Sequence, residues 1–127
     1  MKLTPNFRLD EFQSKDGAPF PEEVIENLRE LAANLQVLRD NVQAPITINS
    51  GYRSPARNKA VGGAPKSQHL EGKAADIVVS GLSPNRVADI IEGLIRAGLM
   101  KNGGLGRYNT FIHYDIRETP GRWDFRT

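Results

Sequence analysis

His69 and Asp76 stand seven positions apart in the run Ser67-Gln68-His69-Leu70-Glu71-Gly72-Lys73-Ala74-Ala75-Asp76. The chain has one other histidine, His113, in the run Phe111-Ile112-His113-Tyr114-Asp115. Two imidazoles and one carboxylate are the three protein ligands of a catalytic zinc site that leaves its fourth position open. Such a site lowers the pKa of a bound water to about 7 and polarises a carbonyl, the two effects that amide hydrolysis needs. Hydrolysis also needs a proton acceptor within hydrogen-bond reach. Asp115, two residues beyond His113, is the first candidate, and Glu71, just after His69, is the second. Asp115 could equally serve one step back, fixing the tautomer of a histidine ligand. The His-Asp spacing is not one of the helix-borne zinc motifs. The residues alone therefore leave plainer readings open: a surface or core histidine, a capping or salt-bridged aspartate, and an ordinary surface charge at Arg53.

These residues need elements to position them. Val24, Leu28, Leu31, Leu35 and Leu38 recur at helical spacing, so residues 21–41 are expected to form a helix with Pro21 in its first turn. Ile46-Thr47-Ile48-Asn49-Ser50 alternates as a half-buried strand. Ser54-Pro55 caps a short helix to about Ala60, and Ser83-Pro84 caps a second amphipathic helix ending near Gly98. Ala74 to Val79 reads as a strand with Ala75, Ile77 and Val79 toward the core and Asp76 on the opposite face. A carboxylate in such a strand is costly to bury without a partner, and a metal is one such partner. Leu105-Gly106-Arg107 forms a short strand, and Phe111 to Arg117 is expected to be the last one. Its even positions, Ile112, Tyr114 and Ile116, would be core, while His113, Asp115 and Arg117 would form a working surface. Residues 1–20 read as irregular apart from one helical turn at Leu9–Phe12, and Thr119 to Trp123 as a turn with an aromatic anchor. Tyr52, Tyr108, Tyr114 and Trp123 read as packing residues.

The expected architecture is α+β: a small, mainly antiparallel sheet with two main helices on one face and the metal site on the other. The 127 residues are expected to form a single domain. There are no cysteines, so metal must be held by histidine and carboxylate. A net charge of +2 is a mixed solvated surface, with no basic block or basic-aromatic stripe for nucleic acid. No apolar run approaches a membrane span, and the N-terminal residues lack the apolar core of a secretory signal. The expectation is thus a monomer made in the cytoplasm, with neither nucleic-acid binding nor membrane insertion.

Ser67-x-His69-x-x-Gly72-x-Ala74-x-Asp76 resembles the signature of the zinc D-alanyl-D-alanine peptidases, the peptidase M15 family, which shares a fold core with hedgehog-type murein metallopeptidases. Phe111-Ile112-His113-Tyr114-Asp115 is similar to a run in the branch that includes phage lysins, and Ser50-Gly51-Tyr52-Arg53-Ser54 resembles a third family segment. The resemblance implies Zn2+ held by His69, Asp76 and His113, with Arg53 gripping substrate and Ser67 hydrogen-bonding within the site, to substrate or to a ligand. It implies a zinc-dependent peptidase acting on the stems or cross-links of peptidoglycan, as a D,D-carboxypeptidase or endopeptidase. The small size, with no separate wall-binding module expected, fits a phage or prophage product acting at the cell wall, a virion component, or a chain whose targeting segment is missing. Several relatives carry an acid three residues before the last histidine ligand. Here that position is Thr110, so the base is expected to be Asp115. The same departure motivates a second reading, a non-catalytic binding module stabilised by zinc.

Overall fold

The structure is a computed structural model describing residues 1–127. Helix α1 (Glu22–Val42) starts after Pro21, carries Glu22 and Glu23 at its positive end, and stops where Gln43 turns left-handed. Its stripe of Val24, Leu28, Leu31, Leu35 and Leu38 is buried as the spacing requires. Helix α2 (Pro55–Ala60) and helix α3 (Pro84–Arg96) are each capped by a serine hydroxyl, Ser54 accepting from Arg57 N–H and Ser83 from Arg86 N–H. No helix is long and apolar enough to cross a membrane.

The main sheet has five strands, β3 (Ile46–Ser50), β4 (Ala74–Val79), β5 (Gly104–Arg107), β6 (Ile112–Asp115) and β7 (Gly121–Asp124), in the order β3-β4-β6-β5-β7. Every pairing is antiparallel except β5 with β7. Strand parity holds. Ile46, Ile48, Ala75, Ile77, Val79, Leu105, Ile112 and Tyr114 join one core with α1 and α3. The α+β expectation is met, with one sheet face given to packing and the other to polar residues.

Two expectations are corrected. The strand at Ile112–Asp115 is not the last: residues Gly121–Asp124 form β7 beside β5. Four residues with a single large apolar side chain carry too little alternation to announce a strand. The first twenty residues also contain a hairpin, β1 (Lys2–Thr4) and β2 (Phe7–Arg8), before the expected turn at Leu9–Phe12. That hairpin is short and irregular in register, so its pattern is equally faint.

The register sets up the polar face as two cross-strand rows. Directly opposed residues point to the same face. One row runs Ser50, Asp76, His113, Gly106, Trp123. The next runs Ala74, Asp115, Gly104, Gly121. Every strand thus contributes to one small area.

Candidate metal centre and cleft

His69 arrives from outside the sheet. It lies on a 3-10 turn (Gln68–Glu71) that Ser67 caps, its hydroxyl accepting from His69 N–H at 3.2 Å. The turn ends at Gly72, whose φ of 72° suits glycine. A side chain there would also strike helix α1, 2.8 Å from Val24 Cγ1. The small residue at this position therefore serves the contact with α1. Asn27 of α1 donates to the Glu71 carbonyl at 2.8 Å and ties the turn down further.

The Ser50–Ser54 segment fixes the other side of the His69 ring. Its backbone is latched by Tyr52 N–H to the Phe12 carbonyl at 2.8 Å and by Arg53 N–H to the His69 carbonyl at 3.0 Å. Gly51 packs so closely on Phe12 that a Cβ would lie 2.7 Å from its Cα. The Gly51 carbonyl accepts the hydrogen bond of His69 Nδ1 at 2.7 Å. That bond places the proton on Nδ1 and leaves Nε2 as the donor to a metal.

His113 has the mirror arrangement. Its Nε2 donates to Asp115 Oδ2 at 2.7 Å, which leaves Nδ1 directed at Asp76 Oδ1, 3.0 Å away. His69 Nε2 lies 3.3 Å from the same oxygen. One ligand atom from each of His69, Asp76 and His113 falls within 4.8 Å of the others, and all three residues are buried. Tetrahedral zinc with bonds of about 2.0–2.1 Å holds its ligand atoms roughly 3.3 Å apart. The donor types, the two fixed tautomers and the spacing all fit that ion.

The electrostatics agree. Burial alone pushes the Asp76 carboxyl up, but hydrogen bonds and charge from His113 and His69 outweigh it and hold it well below the usual range. Arg53 adds a guanidinium nitrogen 3.6 Å from Asp76 Oδ2 and is steadied by Asn58 at 3.4 Å. Gly63 is needed for that contact, since a Cβ there would meet the Asn58 side chain.

Asp115 is not on a working surface. It is fully buried, and its carboxylate accepts from Gly104 N–H at 2.8 Å, from the Arg117 backbone N–H at 3.1 Å, and from Arg117 Nε and Nη2 at 2.8 and 2.7 Å, besides His113. Burial pushes its carboxyl up, but His113 and Arg117 pull it further down, well below the usual range. A covered carboxylate with every acceptor direction used, and so weak a base, does not fit the role of proton acceptor, and that expectation is corrected. Glu71 does not replace it: its side chain is exposed, 3.8 Å from Lys73, and does not line the cleft. Thr110 is exposed in the turn before β6. Asp76 is the one carboxylate residue in the cleft lining.

The three donors sit on the floor of a cleft of about 710 Å³. Arg53, Ser67 and Lys66 lie along its lining, together with the aromatic side chains of Tyr108, Phe111, Trp123 and Phe125. Tyr108 stacks on Phe111 with ring centroids 4.4 Å apart and accepts from Trp123 Nε1 at 2.9 Å. Tyr52 and Tyr114 are core residues, as expected, whereas Tyr108 and Trp123, expected as packing residues, line the cleft wall. The signal that could have found Trp123 is the Gly-x-Gly of β5, which leaves an unfilled strip on the site face.

A buried pair of imidazoles with one carboxylate, opening on a cleft, is the donor set of a metal-dependent hydrolase. The chain belongs to the Peptidase M15 family, whose model matches residues 3–115. It is 34% identical over 96 residues to the probable peptidoglycan L,D-endopeptidase MepK of Haemophilus influenzae, covering 70% of this chain and 48% of that protein. It is 48% identical over 44 residues to the zinc D-Ala-D-Ala carboxypeptidase of Streptomyces albus G, covering 34% of this chain and 17% of that protein. The chain thus spans less than half the length of these two relatives. Among solved structures, the L-Ala D-Glu endopeptidase ChiX of Serratia marcescens is 22% identical with a TM-score of 0.48, over 77% of this chain and 89% of that one.

Proposed function

We propose that this chain is a zinc-dependent peptidase that cleaves the stem or cross-link peptides of bacterial peptidoglycan, as a carboxypeptidase or endopeptidase, with His69, Asp76 and His113 as ligands. The observation that carries this reading is the convergence of His69 Nε2, His113 Nδ1 and an Asp76 oxygen on one point of the cleft floor, each ring with its other nitrogen already bonded. Zinc there would supply Lewis acidity at the scissile carbonyl. Arg53 offers a planar pair of donors to a substrate carboxylate or carbonyl, and Ser67 a hydroxyl beside it. Asp115 orients His113. The single core joining residues from Phe7 to Ile116 supports one catalytic unit. The resemblance of the Phe111–Asp115 run to one in phage lysins supports action at the cell wall.

Purified murein incubated with the zinc-loaded protein should release soluble peptides with new amino termini, or lose terminal D-alanine, by mass spectrometry. The absence of a free carboxylate in the cleft favours one alternative, a zinc-stabilised module that binds murein without cutting it. Binding to sacculi with no released peptide would select that alternative.

The pH dependence separates metal-free and metal-loaded protein. Without metal, burial opposes a charged His113 ring, but the hydrogen bonds and charges of Asp115 and Asp76 outweigh it and raise its pKa above the ordinary value. A folded pKa raised above the unfolded one, about 6.5, contributes stability below that value and loses it as pH rises through the folded pKa. Zinc needs the same nitrogen unprotonated, so its affinity rises over that interval. Thermal melts in chelator should fall in Tm as pH rises above about 6.5, while the stabilisation produced by added zinc should grow.

A further inference from the structure

The two oxygens of Asp115 are held differently. Oδ1 accepts from Gly104 N–H, from Arg117 N–H and from Arg117 Nε. Oδ2, the oxygen bonded to His113, has one other partner, Arg117 Nη2 at 2.7 Å. Two main-chain N–H groups help fix the carboxylate through Oδ1, but the oxygen that accepts the His113 hydrogen bond is itself held by one guanidinium. That guanidinium is itself supported. Its Cζ lies 5.1 Å from the centroid of the Trp123 ring, and the Trp123 ring is 5.0 Å from that of His113. Gly104 supplies the space: a Cβ there would fall 2.3 Å from Asp115 Oδ2 and 2.7 Å from Arg117 Nε.

We propose that Arg117 is a positioning residue for the metal: by gripping both oxygens of Asp115 it fixes the carboxylate that holds the His113 Nε2 proton, and so presents His113 Nδ1 to the ion. This rests on the reading of His69, Asp76 and His113 as ligands. The side chain has to be arginine because only a planar fork supplies two N–H groups at the separation of two carboxylate oxygens. A lysine in its place would offer one mobile point of charge. Asp115, one step behind a histidine ligand, is a partner of the kind that sets metal affinity by roughly 10- to 100-fold, and Arg117 acts through it.

The test measures zinc affinity by chelator competition for the unaltered chain, Arg117→Gln and Arg117→Lys, with NMR of the His113 Nε2–H proton in the zinc-loaded forms. Arg117→Gln should weaken zinc by about 10-fold, the lower end of that range because Asp115 keeps its main-chain donors, and the His113 Nε2–H should exchange faster with solvent. Arg117→Lys keeps the charge and the stem over Trp123, protects against a folding failure, and should fall between the two. Arg117→Gln or Arg117→Lys binding zinc as tightly as the unaltered chain, with the Nε2–H unmoved, overturns the proposal. A raised KM with unchanged zinc affinity also overturns it, and makes Arg117 a substrate contact instead. Failure of the unaltered chain to take up zinc would be a different result: it removes the ligand reading and this proposal together.

Discussion

Replacing His69 or His113 by alanine should abolish stoichiometric zinc binding and, with it, any release of peptides from murein. Each ring supplies one of three donors, and the chain has no cysteine or third histidine to take its place. A Lewis acid contributes several kcal/mol to a developing negative charge, so its loss lowers the rate by about a thousandfold or more. The two variants should differ in what they leave behind. His69→Ala strands the Gly51 carbonyl, which accepts the His69 Nδ1 proton at 2.7 Å in a segment already latched to Phe12 and to the His69 main chain. His113→Ala leaves the buried Asp115 still paired with Arg117 but without one of its donors. Circular dichroism should show both folded, and metal analysis should show both empty. Either variant digesting murein at the unaltered rate would defeat the metallopeptidase reading.

The parts of this site that were legible in the sequence are those governed by period and parity. The helical stripe of α1 and the alternation of β4 and β6 are local, and each side chain's face follows from its neighbours. That is why Asp76 and His113 could be assigned to one sheet face, where the register makes them direct partners. Parity does not reveal what lies on top of a face. Asp115 has the same parity as His113, and nothing in its own strand shows that Arg117 folds back over it or that Gly104 donates to it. Those contacts arise from segments brought in by the β5–β6 pairing and by the turn after β6. Gly72 is required by a contact that is hidden from the sequence for a similar reason. Its neighbours in sequence are metal-site residues, but its neighbour in space is Val24, nearly fifty positions earlier.

Gly106→Ala puts this dependence on non-local packing to the test, and should damage the cleft while leaving all three zinc ligands in the chain. Gly106 stands between His113 and Trp123 in one cross-strand row. A Cβ there would lie 2.2 Å from Trp123 Nε1 and 2.4 Å from its Cε2, inside any tolerable contact. The indole is a rigid plane, so it must leave its place, breaking its hydrogen bond to the Tyr108 hydroxyl and opening the aromatic wall that Tyr108, Phe111 and Phe125 complete. Overpacking of this kind costs about 1–3 kcal/mol. The ligand atoms belong to β4, β6 and the turn at His69, so zinc should still bind at one per chain, less tightly because Arg117 loses the indole beneath it, while the KM for murein peptides rises. Gly93→Ala supplies the opposite sign. Gly93 is inside α3, where a Cβ meets nothing nearer than Arg96 Nη2 at 4.0 Å, and the substitution should stabilise by about 0.5–1 kcal/mol through helix propensity. Urea unfolding of the pair reads both effects. Equal shifts for the two variants would mean that Gly106 is only a flexible strand residue and that the indole does not depend on the space it leaves.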